Sequence, residues 1–272
     1  MSNARSVLFG LAASFAAAAT LAPARLNAQE LGAVEPGAQA AVYYDPAALA
    51  ASRRALQKEH GGQFSYFAIV DRFEYQSNDG VPTLLFDAQG WWGTDRNRLW
   101  VKSEIEYDFE RNRFEEAELQ ALWSRPIARY FDFQAGIRHD FEPDPTRTFG
   151  VIGIQGLAPY WFEIDANIFV SGQGDVSARF EAEYDLLLTQ RLIIQPRTEL
   201  NFAVQSVEDF GVGSGLSTAE VGLRLRYEIK RQFAPYVGVN WVRSVGETAD
   251  FARADAENVG AVSVVAGLRL WF

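Results

Sequence analysis

From residue 64 to the C-terminus polarity alternates with a period of two, and no other feature restricts the fold of this chain as tightly. Leu99, Val101, Ser103, Ile105, Tyr107 and Phe109 alternate with Trp100, Lys102, Glu104, Glu106 and Asp108. Val176, Ala178, Phe180, Ala182 and Tyr184 alternate with Ser177, Arg179, Glu181, Glu183 and Asp185. Successive side chains of a strand point to opposite faces, so each run presents one apolar and one charged face. A helix would wrap Phe180 and Tyr184 around Glu181 and Asp185, so the strand reading prevails. About twelve such runs follow one another, near residues 64–76, 82–92, 99–109, 114–123, 131–138, 147–156, 160–170, 176–185, 191–205, 216–228, 232–243 and 260–272.

The turns between runs alternate between short and long, and the longest, 206–215 and 244–258, fall at one end. Short turns at one end and longer loops at the other, with an even strand count, are the layout of a transmembrane antiparallel β-barrel. A sheet in lipid must close on itself, because open edges leave backbone groups unpaired. Trp91, Trp92, Trp123, Phe131, Tyr160, Phe233 and Phe272 gather near the short turns. Tyr75, Phe109, Phe141, Phe169 and Trp241 lie toward the long loops. Two aromatic groups flanking an apolar band match interfacial girdles. The last run alternates Val262, Val264, Ala266, Leu268 and Leu270 and ends on Phe272, which resembles the terminal assembly signal of outer-membrane barrels.

The sequence before residue 64 is of another kind. Residues 1–28 lack acids, carry Arg5 ahead of an Ala-rich apolar run, and end in small residues, the pattern of a secretory signal peptide. Residues 29–63 form an expected periplasmic extension with one short helix, capped by Asp45 with Pro46 behind it and stopped at Gly61-Gly62. No later stretch offers 18 uninterrupted apolar residues, so no membrane helix is expected, and an exported chain of this pattern belongs in the outer membrane of a Gram-negative cell. The absence of Cys removes thiolate metal sites, and a net charge of -10 argues against nucleic-acid binding.

The charged face would line the lumen. Acids concentrate on the third to eighth runs, and bases on the eighth to tenth and the twelfth. Either the two signs satisfy one another, as buried charges normally do, or an acidic wall attracts cations. A twelve-stranded bore lies between the filled eight-stranded barrel and the open sixteen-stranded porin.

Several ordered blocks carry a family resemblance: Asp71-Arg-Phe-Glu-Tyr-Gln76, Leu85-Phe-Asp-Ala-Gln-Gly-Trp91, Glu115-Glu-Ala-Glu-Leu-Gln-Ala-Leu122, Glu181-Ala-Glu-Tyr-Asp-Leu-Leu-Leu-Thr-Gln-Arg191 and Phe233-Ala-Pro-Tyr-Val-Gly-Val-Asn-Trp241. The chain resembles the copper resistance protein B family across the whole barrel and the short helix before it. The resemblance implies an outer-membrane protein of copper homeostasis, with copper as the bound or exported ion. It implies as partners outer-membrane lipid, the barrel assembly machinery and a periplasmic multicopper oxidase.

One departure bears on chemistry. Many members carry a Met- and His-rich N-terminal tract, whereas the only Met here is Met1, and the histidines are His60 and His139. No family ligand motif transfers. Carboxylate and imidazole ligands favour Cu(II) over Cu(I). The candidate metal residues are therefore Glu104, Glu106, Glu116 and Glu118, which share the lumen face of adjoining strands, with His60 as the next candidate. The alternative is that Lys102 and arginines across the bore neutralise the four. A general solute or cation channel without a dedicated copper site is the rival function. Catalysis is not expected: His139 faces outward without a nearby Ser in sequence.

Overall fold

A run with one apolar face and paired neighbours on both sides satisfies its backbone only inside a sheet, and a sheet with no edge satisfies all of it. The computed structural model describes residues 40–78 and 81–272. The expected signal peptide and residues 29–39 lie outside the described residues. The chain separates into two units, residues 1–59 and 60–272.

In the first unit a 3-10 turn, Ala40–Val42, precedes helix α1, Pro46–His60. Asp45 caps it as expected, its Oδ2 accepting from Ala48 N at 3.0 Å. Gly62, at φ +75°, lies just beyond the helix.

The second unit is a closed antiparallel barrel of the expected twelve strands. They are β1 (Ser65–Asn78), β2 (Val81–Gly93), β3 (Arg98–Asp108), β4 (Arg113–Pro126), β5 (Phe131–Glu142) and β6 (Arg147–Ala158). Then come β7 (Phe162–Ser171), β8 (Val176–Glu183, resuming as Leu186–Leu187), β9 (Leu192–Ala203), β10 (Gly215–Tyr227), β11 (Phe233–Ser244) and β12 (Gly260–Trp271). Each pairs with the next, and β12 pairs with β1 from Ile69↔Trp271 to Asn78↔Ser263. Phe272 N donates to Ala68 O at 2.8 Å, and Ala68 N donates back to Phe272 O at 3.2 Å, so the last residue is tied to the first strand.

The outer face is apolar and exposed: Ile137, Ile152, Ile168, Val237 and Val264 all lie open on it. A soluble protein rarely exposes such a continuous apolar surface, whereas lipid requires it. The inner face buries Arg72, Glu74, Glu118, Gln134, Arg179, Arg197, Glu199 and Arg224.

Three features depart from the sequence expectation. The connection after β11 contains a second helix, α2 (Gly246–Ala254), whose Thr248 and Ala249 are buried. Trp91 and Phe169 do not belong to the outer girdles. Trp91 turns inward, its ring 6.3 Å from that of Trp100. Phe169 is 2% exposed and packs with Leu122, Phe149 and Val151 in an apolar patch on the lumen wall. Both positions have the parity of the charged residues on their own strands, and parity decides the face.

Candidate functional site in the lumen

The register of the strands determines which charges meet. A bulge in β1 between Val70 and Arg72 turns both Asp71 and Arg72 into the lumen, where alternation alone would have sent one outward. Arg72 reaches Asp87 at 2.9 Å, Glu104 at 2.8 Å and Glu220 at 3.6 Å. Arg179, on β8, holds Glu118 through both terminal nitrogens at 3.1 Å and lies 3.6 Å from Glu104, Glu116 and Glu199. Arg197, on β9, reaches Glu181 and Glu199 at 2.7 Å and Glu220 at 3.1 Å.

These contacts close a ring. Glu104 joins Arg72 to Arg179, Glu199 joins Arg179 to Arg197, and Glu220 joins Arg197 back to Arg72. Positive and negative groups alternate around it, and the three arginines are no more than 9% exposed. Arg138 extends the network, 2.8 Å from Glu118 and 2.6 Å from Asp140, with its guanidinium 4.9 Å from the centre of the Phe169 ring. Bidentate, charge-assisted contacts of this kind fix geometry as well as charge.

The ring lies between two cavities. One, of about 500 Å³, opens toward the end that carries both barrel termini and is lined by residues including Asp71, Asp132, Asp165 and Glu183. The other, of about 670 Å³, opens toward the long loops and is lined by residues including Glu106, Glu116, Asp140 and Thr248. Arg72 alone lines both.

A second buried pair, Arg224 with Glu74, crosses from β10 to β1 at 2.7 and 3.0 Å, with side chains 2% and 0% exposed. The path between those strands is paved with glycine. A Cβ on Gly222 would come within 2.3 Å of Arg224 Nη1, and one on Gly267 within 2.5 Å of the Tyr236 hydroxyl. A side chain at either position would displace the arginine or the tyrosine from where it now lies.

The four candidate metal carboxylates do come together: Glu104 faces Glu118 and Glu106 faces Glu116 across β3 and β4. Arginines engage three of them. Glu104 and Glu118 are held by Arg72, Arg138 and Arg179, while Glu116 is 3.6 Å from Arg179 and 3.9 Å from Arg138. Glu106 makes no ion pair among the described residues. Lys102, expected beside them, instead crosses the lumen to Asp165. Among the described residues no group of three or more His, Asp or Glu side chains is arranged to hold a metal ion. The donor set thus does not fit a resident copper ion.

His60 ends α1, and its side chain lies outside the described residues. His139 faces outward as expected, with Nδ1 2.8 Å from Thr148 Oγ1 and its ring edge-on to Phe141.

At the long-loop end Glu247 of α2 ties three segments together. It accepts from the Ser206 hydroxyl, from Ser214 N at 3.1 Å and from Ser214 Oγ at 3.2 Å. Thr248 Oγ1 accepts from Gly213 N at 2.9 Å. The Ser206 hydrogen bond, with those from Ser214, holds the Glu247 carboxyl below its ordinary range.

The family described as Copper resistance protein B precursor (CopB) has a model that matches residues 64–272. A protein of Pseudomonas syringae pv. tomato (strain ATCC BAA-871 / DC3000), named Copper resistance protein B homolog, is 47% identical over 229 residues, 82% of this chain and 77% of its own. Copper resistance protein B of Escherichia coli is 40% identical over 256 residues, 92% of this chain and 86% of its own. Among solved structures the NanC porin aligns with a TM-score of 0.51 at 11% identity, over 76% of this chain and 99% of the porin, a likeness of fold.

Proposed function

The chain belongs to the copper resistance protein B family, and from that premise we propose that it acts in copper tolerance at the outer membrane as a closed, charge-lined barrel that meets Cu(II) as cargo. The observation that carries this reading is the Arg72–Glu104–Arg179–Glu199–Arg197–Glu220 ring, which engages the lumen carboxylates and separates the two cavities.

Copper chemistry then falls to the carboxylates least committed to arginine. Glu106 and Glu116 face each other, both line the long-loop cavity, and oxygen donors suit Cu(II) better than Cu(I). Two carboxylates make a weak, exchangeable site, which suits capture and release. The N-terminal segment with His60 is the next contributor. Export to the outer membrane through residues 1–28, recognition of Phe272 by the assembly machinery and cooperation with a periplasmic multicopper oxidase belong to the same proposal.

The test is Cu(II) titration of the folded, signal-free protein and of the Glu106→Gln/Glu116→Gln variant. Neither residue links the ring, and Arg138 and Arg179 keep their closer contacts to Glu118 when Glu116 is changed. Weaker Cu(II) binding in the variant is expected. Unchanged affinity removes the lumen site and directs attention to His60. The channel reading is separated by conductance: a general channel conducts steadily in the wild type, and a closed barrel does not.

A further inference from the structure

The two rims of the barrel carry opposite unpaired charge. At the rim holding the barrel termini, Arg96, Arg125, Arg129, Arg191, Lys230 and Arg231 are exposed, and none makes an ion pair among the described residues. In or beside those turns Asp95, Glu163 and Glu228 stand as acids without a pairing cation among the described residues, three against six. At the long-loop rim the balance reverses: among the described residues Glu110, Glu142, Asp144, Glu208, Asp209 and Asp255 lack an ion-pair partner, against Arg243 alone of the cations.

The basic rim is also aromatic. Its cations fall in or beside four of the five short turns, and the fifth carries Tyr160 and Trp161, 84% and 70% exposed. Ile127, Tyr130 and Ile229 stand open in the same turns. In a closed barrel these turns run right round the circumference. A soluble acidic protein would meet a patch on one side, whereas a leaflet meets the whole ring. Aromatic side chains settle at the headgroup level, and neighbouring Lys and Arg attract anionic headgroups.

We propose that this rim is a binding belt for the phosphate headgroups of anionic phospholipids. The inference stands whether or not copper enters the lumen.

The test uses the full chain in phosphatidylcholine vesicles containing increasing amounts of brominated phosphatidylglycerol. Trp92, Trp123 and Trp161, exposed near this rim, report contact by fluorescence quenching. Brominated phosphatidylglycerol is expected to bind severalfold more tightly than brominated phosphatidylcholine. That preference decays toward unity at high salt, because exposed charges are screened. It also decays toward unity when the six cations are changed to Gln, while Glu142→Gln/Asp144→Gln leaves it in place. Equal quenching by the two lipids in the wild type overturns the proposal, as does a preference that survives high salt or the six changes. Should the sixfold variant not form a barrel, Lys230→Gln/Arg231→Gln must lower the preference, and an unchanged value is equally fatal. A rim indifferent to lipid charge that binds soluble polyglutamate belongs to an acidic protein, and the proposal fails.

Discussion

Arg179 shows what the lumen asks of one residue. It is flanked by Glu104, Glu116, Glu118 and Glu199, is 9% exposed, and lies against the Phe169 ring. Such a group is stable only while its partners remain ionised, since an unpaired buried charge is costly. Glu118→Gln should therefore destabilise the barrel by about 3–5 kcal/mol, the usual loss when one partner of a buried pair is removed. Glu106→Gln should change stability by no more than about 0.5 kcal/mol, as for a position without such a pair. Unfolding midpoints in detergent, followed by the shift between compact and extended gel mobility, compare the two. Equal midpoints would mean that the Glu118 contacts to Arg138 and Arg179 are not holding the walls together. Much of this site was legible beforehand: alternation placed Glu104, Glu106, Glu116 and Glu118 on one face, and adjacency of β3 and β4 brought them together. The partners were not legible. Contacts such as Arg179 to Glu118 and Arg72 to Glu220 cross the bore, and curvature rather than spacing along a strand decides them. The extra inward residue at the β1 bulge adds to that, because alternation carries no sign of a bulge.

At the scale of elements, the strands were readable because each obeys one rule over about ten residues. Ile152, outward at mid-strand on β6 and 58% exposed, tests that rule. Ile152→Arg puts a charge against lipid and should cost about 2–4 kcal/mol in transfer from denaturant into bilayer. An outcome near zero would mean the faces are reversed. Helix α2 escaped the sequence reading because a nine-residue helix among charged residues shows no long apolar stripe. Its only cues are Glu247 in the first turn and Arg253 in the last, both favourable to the helix dipole. Glu247 gives this element a pH dependence. Its folded-state carboxyl is held below the ordinary value, so the latch to Ser206 and Ser214 is fully present above that ordinary value. It is lost as pH falls through the lowered one. Protection of the Gly213 and Ser214 amides from exchange, relative to an unstructured chain at the same pH, should fall in acid in the wild type. In Glu247→Gln that protection should not change with pH, and a pH-dependent protection persisting there would assign the effect to another group.

For the whole molecule, closure and charge act together. Twelve strands enclose a bore that could admit solutes. Here arginines and glutamates from β1, β3, β8, β9 and β10 alternate across it and leave a cavity at each end. The chain belongs to the copper resistance protein B family, while the ion pairing leaves few carboxylates for metal and none preassembled into a three-ligand site among the described residues. Whether the ring closes the lumen is read by planar-bilayer recording. The wild-type protein should show no steady open level, whereas Arg72→Ala/Arg179→Ala/Arg197→Ala, with the ring's cations removed, should show discrete and cation-selective openings. A steady open level of porin size in the wild type would mean that the ring does not close the lumen.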